Sequence, residues 1–399
     1  MKIKVGVLYG GKTTEHEVSI ITAVQAMNNL DTEKYEVIPL YLTKENEMYT
    51  GGSLMDIEIY KEPELLKRYS TNVVMYNKNG VVILQNKKGI FKRTIKEIDI
   101  VIPAVHGYGM EDGNLTGMLD VIGVPYTGSD IYGLTVGQDK VFQKQILQAE
   151  NINVPDYDWF YDSEYKENEN EILNRLEKLK YPLIVKPARQ GSSIGIGVAN
   201  NIESLKEKIE DAICYDEKIL VEHVISNMVE LNCSVLGSNN YMQASAIEKV
   251  MGKDEILSFR DKYLANGSKK GKPKMQGSKG MASASRVIPA DISDKLKEEI
   301  EDTSKKAFRA LGASGVVRID YLYDEKQKKL YVNELNSIPG SLSFYLWTPL
   351  KKDYSELLDD LISISVKRFK KNLKKTKSFE SNILSSYNGS KGVKGKLRK

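Results

Sequence analysis

The sequence predicts an α/β protein, with a doubly wound parallel sheet over residues 1–139 followed by two further α/β units. Three observations carry this reading. Strand-like apolar runs alternate with stretches of helical spacing from Ile3 to Ile122, the order that builds a parallel sheet with helices on its faces. Two later stretches, Pro182–Val198 and Val316–Asn336, show period two on both sides of a polar turn and read as β-hairpins. With 399 residues, 41% apolar and 28% charged, the chain has the length and composition of two or three globular domains.

The elements follow in order. Ile3–Tyr9 is a strand and Ser19–Leu30 a helix, its apolar face set by Ile20, Ala23, Val24 and Met27. Tyr35–Leu42 is the second strand. Residues 45–97 are polar and tyrosine-rich and read as an elaboration of the sheet edge. Ile98–Val105 is a third buried strand, and Gly117–Ile122 is helical. Gly137–Lys140 opens a helix that Pro155 ends, with a domain boundary nearby. The second unit, 140–224, holds the first hairpin, a charged helix Ile202–Ile213 and the strand Lys218–Val224. The third, 225–370, holds the strand Val229–Gly237, a polar loop over 258–281, the amphipathic helix Leu296–Leu311 and the second hairpin. A loop of that length reads as a lid or as disorder.

Composition excludes several classes. No apolar run approaches the roughly 18 residues of a membrane span. The chain enters a strand pattern at once, without a signal-peptide core, and this predicts a cytoplasmic protein. Two cysteines, Cys214 and Cys233, form no disulfide framework. Only three histidines exist, and His16-Glu17 fails as a zinc motif because position 20 is Ile. Residues 367–399 carry 12 Lys/Arg against one Glu, so the rest stands at −7 within a total of +4. The basic tail, 371–399, is expected to be disordered. No aromatic-rich basic face accompanies it, so no nucleic-acid partner is expected.

Four motifs sit where chemistry is expected. Ala188–Ser193 is a glycine turn after a strand bearing Lys186. Such a turn is either a phosphate cradle with a lysine point charge or a plain turn with a snorkelling lysine. Gly6–Thr13 matches the P-loop pattern through Lys12, but Gly6 falls inside the strand. Thr14-Glu-His-Glu17 reads instead as a capping box, placing Glu15 in a first helical turn at the ligand edge of the sheet. There Glu15 holds a ligand ammonium or only complements the helix dipole. His106–Gly113 follows the third strand at the same edge. In the second hairpin a turn centred on Gln327 makes Asp320 face Glu334 and Arg318 face Asn336. Facing carboxylates repel. Either Mg²⁺ between oxygen donors relieves this, or Arg318 compensates a mixed-charge face.

These stretches together resemble the D-alanine–D-alanine ligase family of the ATP-grasp superfamily. The likeness runs from Val5 to about Ile362 through GGKTTEHEVS (10–19), HGYGMEDG (106–113), QDK (138–140), PLIVKPARQGSSIG (182–195), LVEHV (220–224), RDKYL (260–264), VVRIDY (316–321) and NELNSIPGS (333–341). The resemblance implies three α/β domains, the last two clamping ATP. Lys140, Lys186 and Lys262 would hold phosphates, and Gly191, Ser192 and Ser193 would cover them. Glu222, Val224 and Glu230 would bind adenine and ribose. Asp320, Glu334 and Asn336 would ligate two Mg²⁺, with Mn²⁺ as a substitute. Glu15, Ser192 and Tyr263 would hold the first D-alanine, with His106 nearby, and Arg318 and Gly340 would stabilise the oxyanion. Tyr345 and Leu346 would meet the second substrate. Tyr345 stands where the family usually has a serine, which leaves D-serine or another amino acid as an alternative acceptor. Met110 replaces a usual glycine. The resemblance also implies a homodimer.

Overall fold

The computed structural model describes residues 2–251, 285–378, 381 and 382. Three sheets organise them. The first contains β1 (Ile3–Gly10), β2 (Tyr35–Leu42), β3 (Met48–Thr50), β4 (Thr71–Lys78), β5 (Val81–Asn86), β6 (Thr94–Ile98) and β7 (Ile100–Pro103), in the order β6-β5-β4-β3-β2-β1-β7. Only β2, β1 and β7 are parallel. The tyrosine-rich stretch extends that edge as antiparallel strands. Val5, Val7 and Leu8 of β1 are fully buried, as a central parallel strand requires.

The second sheet contains β8 (Tyr157–Tyr161), β9 (Leu183–Pro187), β10 (Gly197–Ala199) and β11 (Lys218–His223), ordered β10-β9-β11-β8. The third contains β12 (Met228–Ser238), β13 (Tyr241–Met251), β14 (Ser285–Val287), β15 (Gly315–Asp324) and β16 (Lys329–Asn336), ordered β14-β13-β12-β15-β16. The helix Asp294–Ala310 covers it through Ile300, Ala307 and Phe308. The last helix, Tyr354–Leu373, returns to the first sheet. Its Leu357, Leu358 and Leu361 share a core with β1, and its Arg368 donates to the carbonyls of Tyr126 and Gly128. The helix therefore runs three residues into the stretch expected to be tail.

Several expectations need correcting. The capping box does not form. The first helix starts at His16 with Glu15 as its N-cap, and no side chain caps it. Gly10 and Gly11 take positive φ and turn the chain so sharply that Glu15 N–H donates to Thr13 Oγ1 (3.2 Å) and Glu17 pairs with Lys44 (2.7 Å). Gly6 lies mid-strand between β2 and β7, and Lys12 is exposed, so no P-loop exists here. The 182–198 hairpin is looser than expected: β10 is three residues long, and Ser192 and Ser193 adopt left-handed φ of 52° and 60°. The lid loop and all of the basic tail beyond 382 lie outside the described residues.

Candidate active site

The register of the last hairpin builds one wall of the site. Asp320 pairs with Glu334 and Arg318 with Asn336, as the sequence predicts, but for a different reason. The turn lies over 325–328, so counting from it would set Asp320 opposite Asn333. A bulge shifts the register by one between Asp320 and Tyr321. Bulges re-aim side chains beside active sites. The β12/β13 hairpin does the same between Cys233 and Val235, which sets Asn232 opposite Glu248. Asn232 also pairs with Asp320. One polar row therefore crosses the sheet: Glu248, Asn232, Asp320, Glu334.

Each acid in that row has a cation. Arg318 holds Asp320 in a fork (2.6 and 2.8 Å), and Asn336 Nδ2 donates to the same carboxylate (3.0 Å). Lys140 lies 3.3 Å from Glu334 and Arg286 lies 3.1 Å from Glu248. Asn232 Nδ2 donates to Glu248 (3.0 Å).

The row floors a cavity of about 150 Å³. Lys140, Gln190, Gly191 and Ser192 line the same cavity. Asp139 caps the helix Lys140–Ala149, and this aims the Lys140 ammonium at the Gln190 carbonyl (2.6 Å). A Cβ on Gly191 would stand 2.3 Å from Glu15 Oε1, so a larger residue there would displace the Glu15 carboxylate. Glu230 lines the cavity too.

The third wall comes from loops after β1 and β7. Glu15 and His106 are buried there, and Glu111 is half-buried beside them. His106 Nε2 meets Thr22 Oγ1 (2.8 Å), and that oxygen accepts the Ser341 N–H (3.1 Å). Burial lowers His106 to about 4, so it is neutral at pH 7. Glu111 accepts from the N–H groups of Gly107 (3.1 Å) and Ile338 (3.0 Å) and from Ser337 Oγ (3.2 Å). Burial first, and the Glu15 charge second, raise it to about 7.

Beneath the glycine loop lies a closed ionic cluster. Glu222 is 1% exposed and takes the ammonium groups of both Lys144 and Lys186. Burial opposes its charge, yet the two cations hold it below the usual carboxylate range. Lys186 also donates to Oδ1 of Asn333, the residue the bulge inserts (3.1 Å), and Lys144 donates to its carbonyl (3.4 Å).

The structure thus brings Glu15, His106, Lys140, Gly191, Ser192, Glu230, Arg318, Asp320, Glu334, Asn336 and Gly340 around one cavity. Other expected residues sit differently. The Glu222 side chain serves Lys144 and Lys186. The Val224 N–H donates to the Pro182 carbonyl (3.0 Å). Ser193 is half-buried beside the wall, and Leu346 is fully buried in the core with Trp347. Tyr345 packs under Arg286, whose Cζ is 4.9 Å from its ring centre. Lys262 and Tyr263 lie outside the described residues. Sequence reading missed Asn232, Glu248, Arg286, Lys144 and Asn333. Lys144 had a signal, since it lies one helical turn from Lys140.

Among the described residues no three His, Cys, Asp or Glu side chains form a metal cluster. The fit of Mg²⁺ rests instead on donor chemistry. Asp320, Glu334 and Asn336 present only oxygen acceptors besides one amide NH2 group, with Lys140 3.3 Å from Glu334, and hard cations take such oxygens together with those of phosphate.

Comparison with known proteins identifies the family and the fold. A family profile described as D-ala D-ala ligase N-terminus matches residues 4–129, and one described as D-ala D-ala ligase C-terminus matches 146–363. A D-alanine--D-alanine ligase of Thermosipho melanesiensis is 37% identical over 384 residues, covering 96% of this chain and 98% of that protein. The solved D-alanine-D-alanine ligase of Coxiella burnetii shares the fold at TM-score 0.75 and 24% identity, over 94% of this chain and 96% of that one. The VanG D-Ala:D-Ser ligase of Enterococcus faecalis aligns at TM-score 0.73 and 27% identity, over 92% of this chain and 100% of that one. The chain belongs to the D-alanine–D-alanine ligase family.

Proposed function

We propose that the chain is an ATP-dependent ligase that joins two D-alanines through an acyl phosphate. The products are D-alanyl-D-alanine, ADP and phosphate, for peptidoglycan precursor synthesis. The observation that best supports this is the Asp320/Glu334/Asn336 face sharing one cavity with the Gly191–Ser192 loop and with Lys140, which lies 3.3 Å from Glu334. Phosphates meet lysines and loop amides together with oxygen donors.

Asp320, Glu334 and Asn336 would hold two divalent ions, Mg²⁺ or Mn²⁺, which supply charge neutralisation for the triphosphate. Lys140, on the cavity, receives phosphate oxygens, and Lys186, held by Glu222 behind the glycine loop, would add a second positive charge. Glu15 takes the ammonium of the donor D-alanine and turns its carboxylate toward the γ-phosphorus. That carboxylate attacks, ADP leaves, and an acyl phosphate forms. The acceptor amine then attacks the acyl carbon and phosphate departs. Arg318 and the Gly340 N–H face the developing oxyanion, and neutral His106 fixes Thr22 and the Ser341 turn beside it. Catalysis here is positioning plus charge stabilisation. Units 1–139, 140–224 and 225–370, a homodimer and a cytoplasmic location complete the reading. Among the described residues no helix is long and apolar enough to cross a membrane.

Tyr345 favours a second reading, in which D-serine or another amino acid is the acceptor. Phosphate release with ATP and Mg²⁺ across D-amino acids, singly and in pairs, tests both readings. Release with D-alanine alone, giving the dipeptide, is expected. Release only with a mixed pair selects the second reading, and no D-amino-acid-dependent release overturns both.

A further inference from the structure

Arg286 stands on the cavity wall over the ring of Tyr345, and the chemistry above gives this arginine no role. Arg286 comes from β14, lines the cavity, and is anchored by Glu248 at 3.1 Å. Glu248 is 1% exposed and is itself fixed by Asn232. The guanidinium rests on the Tyr345 ring, an arrangement that suits arginine and not lysine. The Tyr345 hydroxyl is buried and has no hydrogen-bond partner among the described residues. It lies in the fields of Arg318, Glu248, Arg286 and Asp320. A buried phenol without a partner costs stability unless something completes it. The other guanidinium, Arg318, is taken by Asp320 through two short bonds. An acceptor amino acid brings a carboxylate that must be held while its amine attacks.

We propose that Arg286, seated on Tyr345 and braced by Glu248, binds the α-carboxylate of the acceptor amino acid, with the Tyr345 hydroxyl donating to the same group. This rests on the ligase reading and deepens it: the acceptor is selected as a free α-amino acid, against amides and esters.

The test is steady-state coupling with saturating ATP, D-alanine as donor, and either D-alanine or D-alaninamide as acceptor. For R286M the acceptor KM should rise about ten- to a hundredfold, the scale of one lost charge-assisted hydrogen bond. The KM for ATP should stay within twofold, and the preference for acid over amide should collapse. R286K should recover part of that preference. If R286M does not fold, R286Q against R286K gives the same comparison. An unchanged acid-to-amide ratio in a variant that still couples D-alanine overturns the inference and leaves the ligase reading standing. A wild-type chain that couples no D-amino acid overturns the ligase reading and the inference with it.

Discussion

At the hairpin end of the cavity, three carboxylates are each matched to a cation: Asp320 to Arg318, Glu334 to Lys140 and Glu248 to Arg286. At the loop end, Glu111 is held by two backbone N–H groups and a serine hydroxyl, and it faces the Glu15 carboxylate. The first arrangement is built on strands, whose register fixes side chains in pairs. The second is built on loops at the sheet's ligand edge, where burial rather than pairing sets protonation. The contrast suits two different guests. An end whose charges are already balanced accepts a large anion with its own counter-ions. An end with acids beside each other attracts an ammonium group.

The largest expected effect breaks the balanced end. Asp320→Asn removes an oxygen charge from the row and leaves the half-buried Arg318 without its ion pair. Turnover should fall by more than about a hundredfold, beyond what a lost outer-shell partner costs a metal site. A fall below tenfold, measured by phosphate release, would mean that the triphosphate charge is met elsewhere.

Next comes the closed cluster that supports that end from behind. Lys144→Met removes one of two cations from a fully buried carboxylate. Breaking such a contact costs about 3–5 kcal/mol when the charge is left alone. Lys186 remains, so about 2–3 kcal/mol is expected from denaturant unfolding. The KM for ATP should also rise, because Lys186 and Asn333 lose a shared anchor. An unchanged ATP KM in a destabilised variant would restrict the cluster to stability.

The third experiment sharpens the loop end through pH. Glu111 is raised from its ordinary 4.5 to about 7, so the folded protein keeps a proton that the unfolded chain releases. The stability this contributes is complete below pH 4.5 and is lost as pH climbs through 7. Glu111→Gln mimics the protonated form and should flatten that part of the profile, a difference of about 1–3 kcal/mol across the window. Parallel pH profiles for wild type and variant would place the raised proton elsewhere.

The two ends also differed in how far the sequence revealed them. Alternation marked β1, β2 and the hairpin strands because burial on one or two faces leaves a period of two. Asp320 facing Glu334 was legible only through a misplaced turn. The inserted Asn333 corrects the count, and nothing local announces a bulge there. The same shift hid Glu248, because counting across the Asn239–Asn240 turn sets it opposite Leu231. Glu111 was visible inside HGYGMEDG, but its role depends on Ile338 and Ser337, more than two hundred residues away. Side chains that act within one strand were readable, and those defined by distant backbone were not.

The smallest effect separates two tyrosines whose hydroxyls are alike in burial. Tyr345 and Tyr354 pack against Phe344, edge-on at 6.2 Å and stacked at 4.5 Å. Both hydroxyls are buried and lack partners among the described residues. Replacing a buried, unsatisfied hydroxyl by hydrogen should raise stability, here by up to about 1 kcal/mol in either variant. Only Tyr345 faces the charged row, so Tyr345→Phe should also raise the acceptor KM several-fold, while Tyr354→Phe leaves it unchanged. Thermal midpoints and acceptor kinetics on the two variants separate the outcomes. Equal gains in stability with equal acceptor kinetics would make both phenols packing groups, and acceptor recognition would then fall to the guanidinium alone.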